Sequence, residues 1–336
     1  MKIERLHELP PAPDGADPGA PARPAVVAVG NFDGVHRGHR MGLQLAREEA
    51  RARDAECVAV TFDPHPARLL RPDRAPKTIT SFALKAERLA AAGVERLIVL
   101  EFGEAMARTS PADFVSRLLV ERLGAVTVVQ GANFRFGRGR AGDLETLRAL
   151  GDRHGFGVIE APSVSWEGAI VSSTRIRRTL AEGNIEAGAA LLGAFYEIDG
   201  AVVSGRGRGQ GLGFPTANLA PEGDVLVPHG VYAVDAVLTS PGDGLFRAVL
   251  HYGPRPTFDD SSSLEVHLMG FSGEVSHLRV RFLSHLRDVR AFPGPESLKT
   301  QLERDIARAR DLAAFSAPEA GFRATEAAKP ETLTHA

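Results

Sequence analysis

The sequence predicts an α/β Rossmann-like domain built on a parallel sheet, followed by an antiparallel β-barrel carrying a C-terminal helix. Three observations lead there. The 336 residues suffice for two domains, each burying its own core. Up to residue 183, apolar β-like runs alternate with stretches of helical period, the signature of right-handed crossovers and a parallel sheet. Beyond it, strand-like runs follow one another with turns between them and few helical segments, the pattern of a small barrel. The expected divisions are residues 1–183, 184–314 and a disordered tail at 315–336.

Pro10 to Pro24 is too rich in Pro, Gly and Ala to pack and is expected to be a flexible excursion between two strands. Strands are expected at Ala25–Val29, Cys57–Phe62, Arg96–Leu100 and Ala125–Gln130. Ser110-Pro111-Ala112-Asp113 marks a helix start, with Ser as cap, Pro in the first turn and Asp complementing the dipole. Barrel strands are expected at Tyr196–Ser204, Val231–Thr239, Phe246–Tyr252, Leu264–Phe271 and Leu278–Leu286. A helix from Pro295 carries Leu298, Leu302, Ile306 and Ala309 on one face, a stripe suited to sealing the barrel. After Phe315 the composition turns to Ala, Glu, Pro and Thr without period.

Composition narrows the function. A net charge of −2 gives no overall basic field for nucleic acid or an anionic membrane. The single cysteine, Cys57, lies in an apolar run and reads as a small buried hydrophobe. One cysteine makes no internal disulfide, and neither a bilayer-length apolar stretch nor an apolar signal core is present, so the expected compartment is the cytoplasm.

Gly30-Asn31-Phe32-Asp33-Gly34-Val35-His36-Arg37-Gly38-His39 falls where the first parallel strand meets its helix, at the carboxyl edge where open α/β sheets bind ligands. Glycines let amides approach a phosphate, the helix N-terminus adds partial positive charge, and two histidines can donate to oxygens gaining charge at phosphorus. A metal site using His36, His39 and His65 is the competing reading, although no Cys or Glu completes a shell. His65, in Asp63-Pro64-His65-Pro66, reads equally as a rigid turn residue. Gly131 to Arg140 follows another strand and mixes Arg, Phe and Gly; in one loop of an acidic protein it suits a small anion better than nucleic acid. Ser172-Ser173-Thr174-Arg175-Ile176-Arg177-Arg178 opens a helix with hydroxyls and arginines, an anion clamp when a phosphate tail compensates the arginines and otherwise a capped surface helix.

In the second half, five glycines alternate from Gly205 to Gly213, with Arg206 and Arg208 between them. A linker explains the glycines but not the arginines; a phosphate-wrapping loop explains both. Thr216 and Asn218 then alternate in an extended segment and offer hard oxygen ligands suited to Mg²⁺ bridging ATP phosphates. Glu265, a charge among apolar strand neighbours, reads as a base for an attacking hydroxyl or as an exposed strand residue.

Taken in order, GNFDGVHRGH, TFDPHP, GANFRFG, VSSTRIR, GLGFPTAN, PRPTF and LEVH resemble the bacterial bifunctional riboflavin kinase/FMN adenylyltransferase family, over about residues 25–312. The resemblance implies a nucleotidylyltransferase first half, in which FMN phosphate attacks the α-phosphorus of ATP and pyrophosphate leaves. His36 and His39 would act on the phosphates, with Gly30, Asn31, Phe32, Asp33 and Asn133 around the nucleotide and Phe62 against the flavin. Ser173, Thr174 and Arg177 would grip pyrophosphate. It implies a riboflavin kinase second half, with Thr216 and Asn218 as magnesium and phosphate ligands and Glu265 as base. Gly205, Arg206, Gly211 and Gly213 would lie in the loop over ATP, and Arg287 would contact flavin. The implied ligands are Mg²⁺, ATP and FMN or FAD, in a monomer or weak oligomer without nucleic-acid or membrane partners.

The chain departs from that family at Ala194-Phe195, where Arg-Pro is usual, at His251-Tyr252, where Asn-Ile is common, after Arg287 and between Gly270 and Leu278. These departures fall on the flavin side and leave open an adenylyltransferase with a weakened or inactive kinase half. Three further readings stand beside it: adenylyl transfer to another acceptor, a nucleic-acid module using the Gly-Arg loops, and a flavin carrier with a dead kinase half.

Overall fold

The computed structural model describes residues 1–9, 23–204, 214–238, 244–254, 262–271, 273–312 and 322–324. The chain divides into two compact units. The first takes in Met1–Pro76, Lys85–Val171 and Gly321–Ala336, and the second Lys77–Leu84 and Ser172–Ala320.

In the first unit, β1 (Lys2–Leu6), β2 (Ala25–Val29), β3 (Glu56–Phe62), β4 (Arg96–Leu100), β5 (Ala125–Gly131) and β6 (Gly157–Ala161) form a parallel sheet in the order β1-β4-β3-β2-β5-β6. β2 is buried along its whole length, as an apolar run covered on both faces must be. Strands β3 and β4 lie to one side of β2, and β5 and β6 to the other, so the order reverses between β2 and β5. Ligands of open α/β sheets lie in the crevice beyond the carboxyl ends at such a reversal.

The accompanying helices are α1 (Arg37–Ala52), α2 (Pro66–Leu70), α3 (Phe82–Ala91), α4 (Glu104–Arg108), α5 (Pro111–Asp113) and α6 (Leu144–His154). α1 buries Leu43, Ala46 and Ala50, one stripe at helical spacing. Ser110 caps as expected, its Oγ accepting from Asp113 N at 3.0 Å. The helix it starts continues in wider π-type turns over Phe114–Arg122. A hairpin of β7 (Val164–Trp166) and β8 (Ala169–Ile170) follows the sheet.

In the second unit, α7 (Ser173–Ala181) and α8 (Ile185–Leu192) precede a closed antiparallel barrel in the order β10-β13-β12-β11-β14-β9. Its strands are β9 (Tyr196–Val203), β10 (Ala217–Pro221), β11 (Gly230–Leu238), β12 (Leu245–Pro254), β13 (Ser262–Leu268) and β14 (His277–Arg287). Tyr196, Tyr232 and Phe282 are fully buried together, with Phe282 5.2 and 5.3 Å from the two tyrosine rings. α9 (Pro295–Asp311) places Ile306 and Ala309 against Val231, Val249 and Leu286, so two members of the apolar stripe meet the barrel.

The segment Lys77–Leu84 is stitched into this unit. Thr78 donates from N and Oγ1 to Asp224 Oδ2 at 2.7 and 2.9 Å, and Ser81 Oγ donates to Asp199 Oδ2 at 3.1 Å.

Of the stretch 315–336, expected to be a tail without structure, the described part is a short strand, β15 (Phe322–Ala324). It pairs antiparallel with β7, Phe322 opposite Trp166, and belongs to the first unit.

Candidate functional site

Between β2 and α1 the backbone of Phe32, Gly34 and Val35 takes φ values of 47°, 84° and 44°. Two of these residues carry a Cβ, so the turn is strained and must be held by its surroundings. Lys85 Nζ and Thr61 Oγ1 donate to the Asn31 carbonyl at 3.4 and 3.2 Å, Arg88 to that of Gly34 at 3.0 Å, and Arg40 Nε to that of Val35 at 3.1 Å. Phe32, Asp33 and Val35 are buried, while Asn31 is exposed. Successive turn residues of this kind make a concavity that binds anions through N–H groups.

His36 closes the turn as the cap of α1, its Nδ1 accepting from His39 N at 3.4 Å. A neutral imidazole that accepts at Nδ1 carries its proton on Nε2, where it can donate. The His39 ring stacks on His36 with centroids 3.6 Å apart and 18° between planes, and meets the Phe32 edge at 5.4 Å. Burial, then the proximity of His36 and Lys85, holds the His39 imidazole well below the ordinary histidine range. His39 Nδ1 is buried without a hydrogen-bond partner among the described residues. Such an atom has a bond left to make. Gly38 sits close against this pair: a Cβ there would stand 3.2 Å from the His36 ring, which would have to give by a few tenths of an ångström.

Other expected residues of the first unit lie at the carboxyl edge of the sheet. Gly30 N donates to the Val60 carbonyl at 2.9 Å and is half-buried. Phe62 ends β3 and meets Phe102 edge-on at 5.7 Å. Asn133 is exposed in the turn after β5. His65 takes the turn role, its Nδ1 accepting from Ala67 N at 3.1 Å to cap α2. No cluster of three or more His, Cys, Asp or Glu side chains suited to a metal occurs among the described residues.

Within the second unit, the cap of α7 is Ser172, whose Oγ accepts from Arg175 N at 3.3 Å; Ser173 and Thr174 occupy the first helical positions. Arg177 Nε donates to the Lys77 carbonyl at 2.6 Å, which ties the side chain to the segment Lys77–Leu84.

The barrel places Asn218 opposite Glu265, Glu265 opposite His251, His251 opposite Val231, and Val231 opposite Arg287. Directly opposed residues share a face, so an amide, a carboxylate, an imidazole and a guanidinium stand in one row. Val231 packs with Ala309, so α9 lies on this face. Burial lowers the His251 imidazole; Glu265 opposes that shift, while Arg287 and His229 add to it. Arg287 is anchored by the fully buried Asp305 of α9, with Nη2 to Oδ2 at 2.8 Å. Thr216 precedes β10, and its segment is tied down by His267 Nδ1, which donates to the Pro215 carbonyl at 2.9 Å. Gly205, Arg206, Gly211 and Gly213 lie outside the described residues.

Two family models match the chain, FAD synthetase over residues 20–175 and riboflavin kinase over residues 192–313. Bifunctional riboflavin kinase/FMN adenylyltransferase from Escherichia coli K12 is 35% identical over 322 residues, covering 95% of this chain and 100% of the relative. The chain belongs to that family. The Pseudomonas fluorescens member is 35% identical over 94% of this chain and 98% of its own length, and the Bacillus subtilis member 33% identical over 84% and 90%. A crystal structure from Streptococcus pneumoniae, described as a macrolide-efflux protein, covers 93% of this chain and 100% of its own, at 28% identity and a TM-score of 0.81. Among the described residues no helix is long and apolar enough to cross a membrane.

Lys85, Arg88 and Arg40, which hold the turn, were not legible from the sequence. The i, i+3 spacing of Lys85 and Arg88 on α3 is the one available signal, and it reads equally as a solvated face. His251 stood out in the sequence as a departure, and its place beside Glu265 emerges from strand register.

Proposed function

We propose that the chain makes flavin cofactors in two ATP-dependent steps, riboflavin to FMN in the second unit and FMN to FAD in the first, in the cytoplasm. The observation that supports this best is that each unit holds its own polar cluster. One is the stacked histidine pair at the sheet reversal, and the other is the Asn218–Glu265–His251 row of the barrel.

In the first unit, an oxygen of the FMN phosphate attacks the α-phosphorus of ATP, forming one P–O bond as the bond to pyrophosphate breaks. His36, with its proton on Nε2, and His39, kept neutral by burial, donate hydrogen bonds to oxygens as charge builds on them. Gly30, Asn31, Phe32 and Asp33 form the cradle, with Asn133 beside the nucleotide and Phe62 toward the flavin. Ser173, Thr174 and Arg177, at the start of α7, offer amides, the helix dipole and a guanidinium to a phosphate anion.

In the second unit, the ribityl 5′-hydroxyl attacks the γ-phosphorus of ATP and ADP leaves, while Glu265 accepts the hydroxyl proton. The hydroxyl of Thr216 and amide oxygen of Asn218 are hard donors of the kind Mg²⁺ takes alongside phosphate oxygens, so the donor set fits that ion. When bound, Mg²⁺ neutralises charge between the phosphates. Arg287, held by Asp305, borders the flavin.

The test is incubation with riboflavin, ATP and Mg²⁺, with products separated by chromatography; FMN and then FAD are expected. His36→Ala should abolish FAD formation and spare FMN formation. Glu265→Ala should abolish FMN formation and spare FAD formation from supplied FMN. Either variant running its assigned step at full rate removes that residue from the mechanism.

A further inference from the structure

The first unit contains a feature that adenylyl transfer does not by itself call for. β15 returns from beyond α9 to pair with β7, with Phe322, Arg323 and Ala324 opposite Trp166, Ser165 and Val164. Ser165 Oγ donates to the Arg323 carbonyl at 3.4 Å. Phe322 stacks on Trp166, centroids 5.8 Å apart and planes within 14°. The guanidinium of Arg37 lies over the Phe322 ring, 4.0 Å from its centroid. Arg37 is the first residue of α1, directly after the capping His36 and in the same turn as His39.

A cation at a helix N-terminus meets the positive end of the dipole and is disfavoured there unless something compensates it. The face of an aromatic ring, which attracts a guanidinium, helps to do so, and so does the anion that a helix start receives. The ring is in place, and α1 packs beside β7, so ring and helix start belong to one packed cluster. Gly38 shows how close the hairpin comes, since a Cβ there would stand 3.6 Å from the Val171 carbonyl that follows β8.

We infer that β15 is a positioning strand of the adenylyl-transfer site, in which Phe322, braced on Trp166, holds the Arg37 guanidinium beside the histidine pair to receive a nucleotide polyphosphate. The inference rests on the adenylyltransferase reading of the first unit. Phe322 acts through Arg37 and touches no reacting atom. Its loss weakens nucleotide binding more than turnover.

Full-length wild type, Phe322→Ala, Phe322→Tyr, Arg37→Ala and the Phe322→Ala/Arg37→Ala double variant decide it. Three quantities are measured: KM for ATP and kcat in FMN adenylylation, the rate of riboflavin phosphorylation, and the emission of Trp166, the chain's one tryptophan, as ATP is added. Phe322→Ala should raise KM for ATP about 3- to 10-fold, the range one cation–π contact supports, with kcat little changed. Phosphorylation should stay at the wild-type rate and Phe322→Tyr should restore KM. The double variant should bind ATP no worse than Arg37→Ala alone, because both changes remove one interaction. ATP should shift wild-type Trp166 emission. A wild-type KM in Phe322→Ala, additive losses in the double variant, a parallel fall in phosphorylation, or Trp166 emission unmoved by saturating ATP would each overturn the inference. Wild type that makes no FAD from FMN would instead defeat the adenylyltransferase reading, and the Trp166 titration would still decide the role of the strand.

Discussion

His39 is an imidazole folded into a place where its charged form is disfavoured, by burial first and then by His36 and Lys85. Unfolded, it takes up a proton near pH 6.5; folded, it does so only at lower pH. The unfolded chain therefore binds more protons between those two values, so stability is lost as pH is lowered through that window and regained as it is raised. His251 contributes in the same direction in the barrel. Melting temperature should drop between pH 7.5 and 5.5 in the wild type, and His39→Gln should flatten part of that drop in the first unit's transition. Superimposable curves would show that His39 is not buried neutral. At this scale the residues with motif chemistry were legible: His36, His39, Asn218 and Glu265 announce themselves by type and spacing. The residues that support them were not. Arg40, Lys85 and Arg88 look like ordinary helix-surface charge until the fold aims them at three turn carbonyls.

Among the elements, α9 is joined to the barrel by more than its apolar stripe. Asp305 is wholly buried and receives Arg287 through Nε and Nη2, with Gln301 Nε2 adding a bond at 2.8 Å. Removing one partner of a buried pair leaves an uncompensated charge, so Arg287→Ala should destabilise the second unit by about 3–5 kcal/mol in denaturant unfolding. Asp305→Asn should cost less, because it removes the charge and keeps an acceptor. If Arg287→Ala unfolds at the wild-type midpoint, the pair does not anchor the helix. The amphipathic period of α9 and the alternating strands of the barrel were readable because burial imposes a repeat on the sequence. β15 was not, since three residues are too few to carry a period, and Phe322 lies in a compositionally disorder-like stretch.

On the scale of the whole molecule, the two units do not follow the chain end to end. Residues 77–84 leave the first unit to satisfy Asp224 and Asp199 in the second, and residues 322–324 come back to the first. A boundary at 183, drawn from the change in element pattern, leaves out both, because each depends on contacts between residues far apart in sequence. A fragment spanning residues 184–314 therefore lacks Thr78 and Ser81. With them go two hydrogen bonds to Asp224 and one to Asp199, which keeps its ion pair with Arg279, each bond contributing about 0.5–1.5 kcal/mol. The isolated fragment should melt below the second unit's transition in the full chain, and a peptide of residues 77–84 added in excess should recover part of the difference. Equal melting temperatures would show that the segment adds nothing to that unit.

The turn from Phe32 to Val35 is already bent into its left-handed shape and clamped from behind by Arg40, Lys85 and Arg88. Its resting conformer is thus the receptive one, and no affinity is lost to selecting a rare state. Nucleotide capture in the first unit should accordingly follow simple one-step association kinetics, with an observed rate rising linearly with ATP concentration and no plateau from a slow preceding rearrangement.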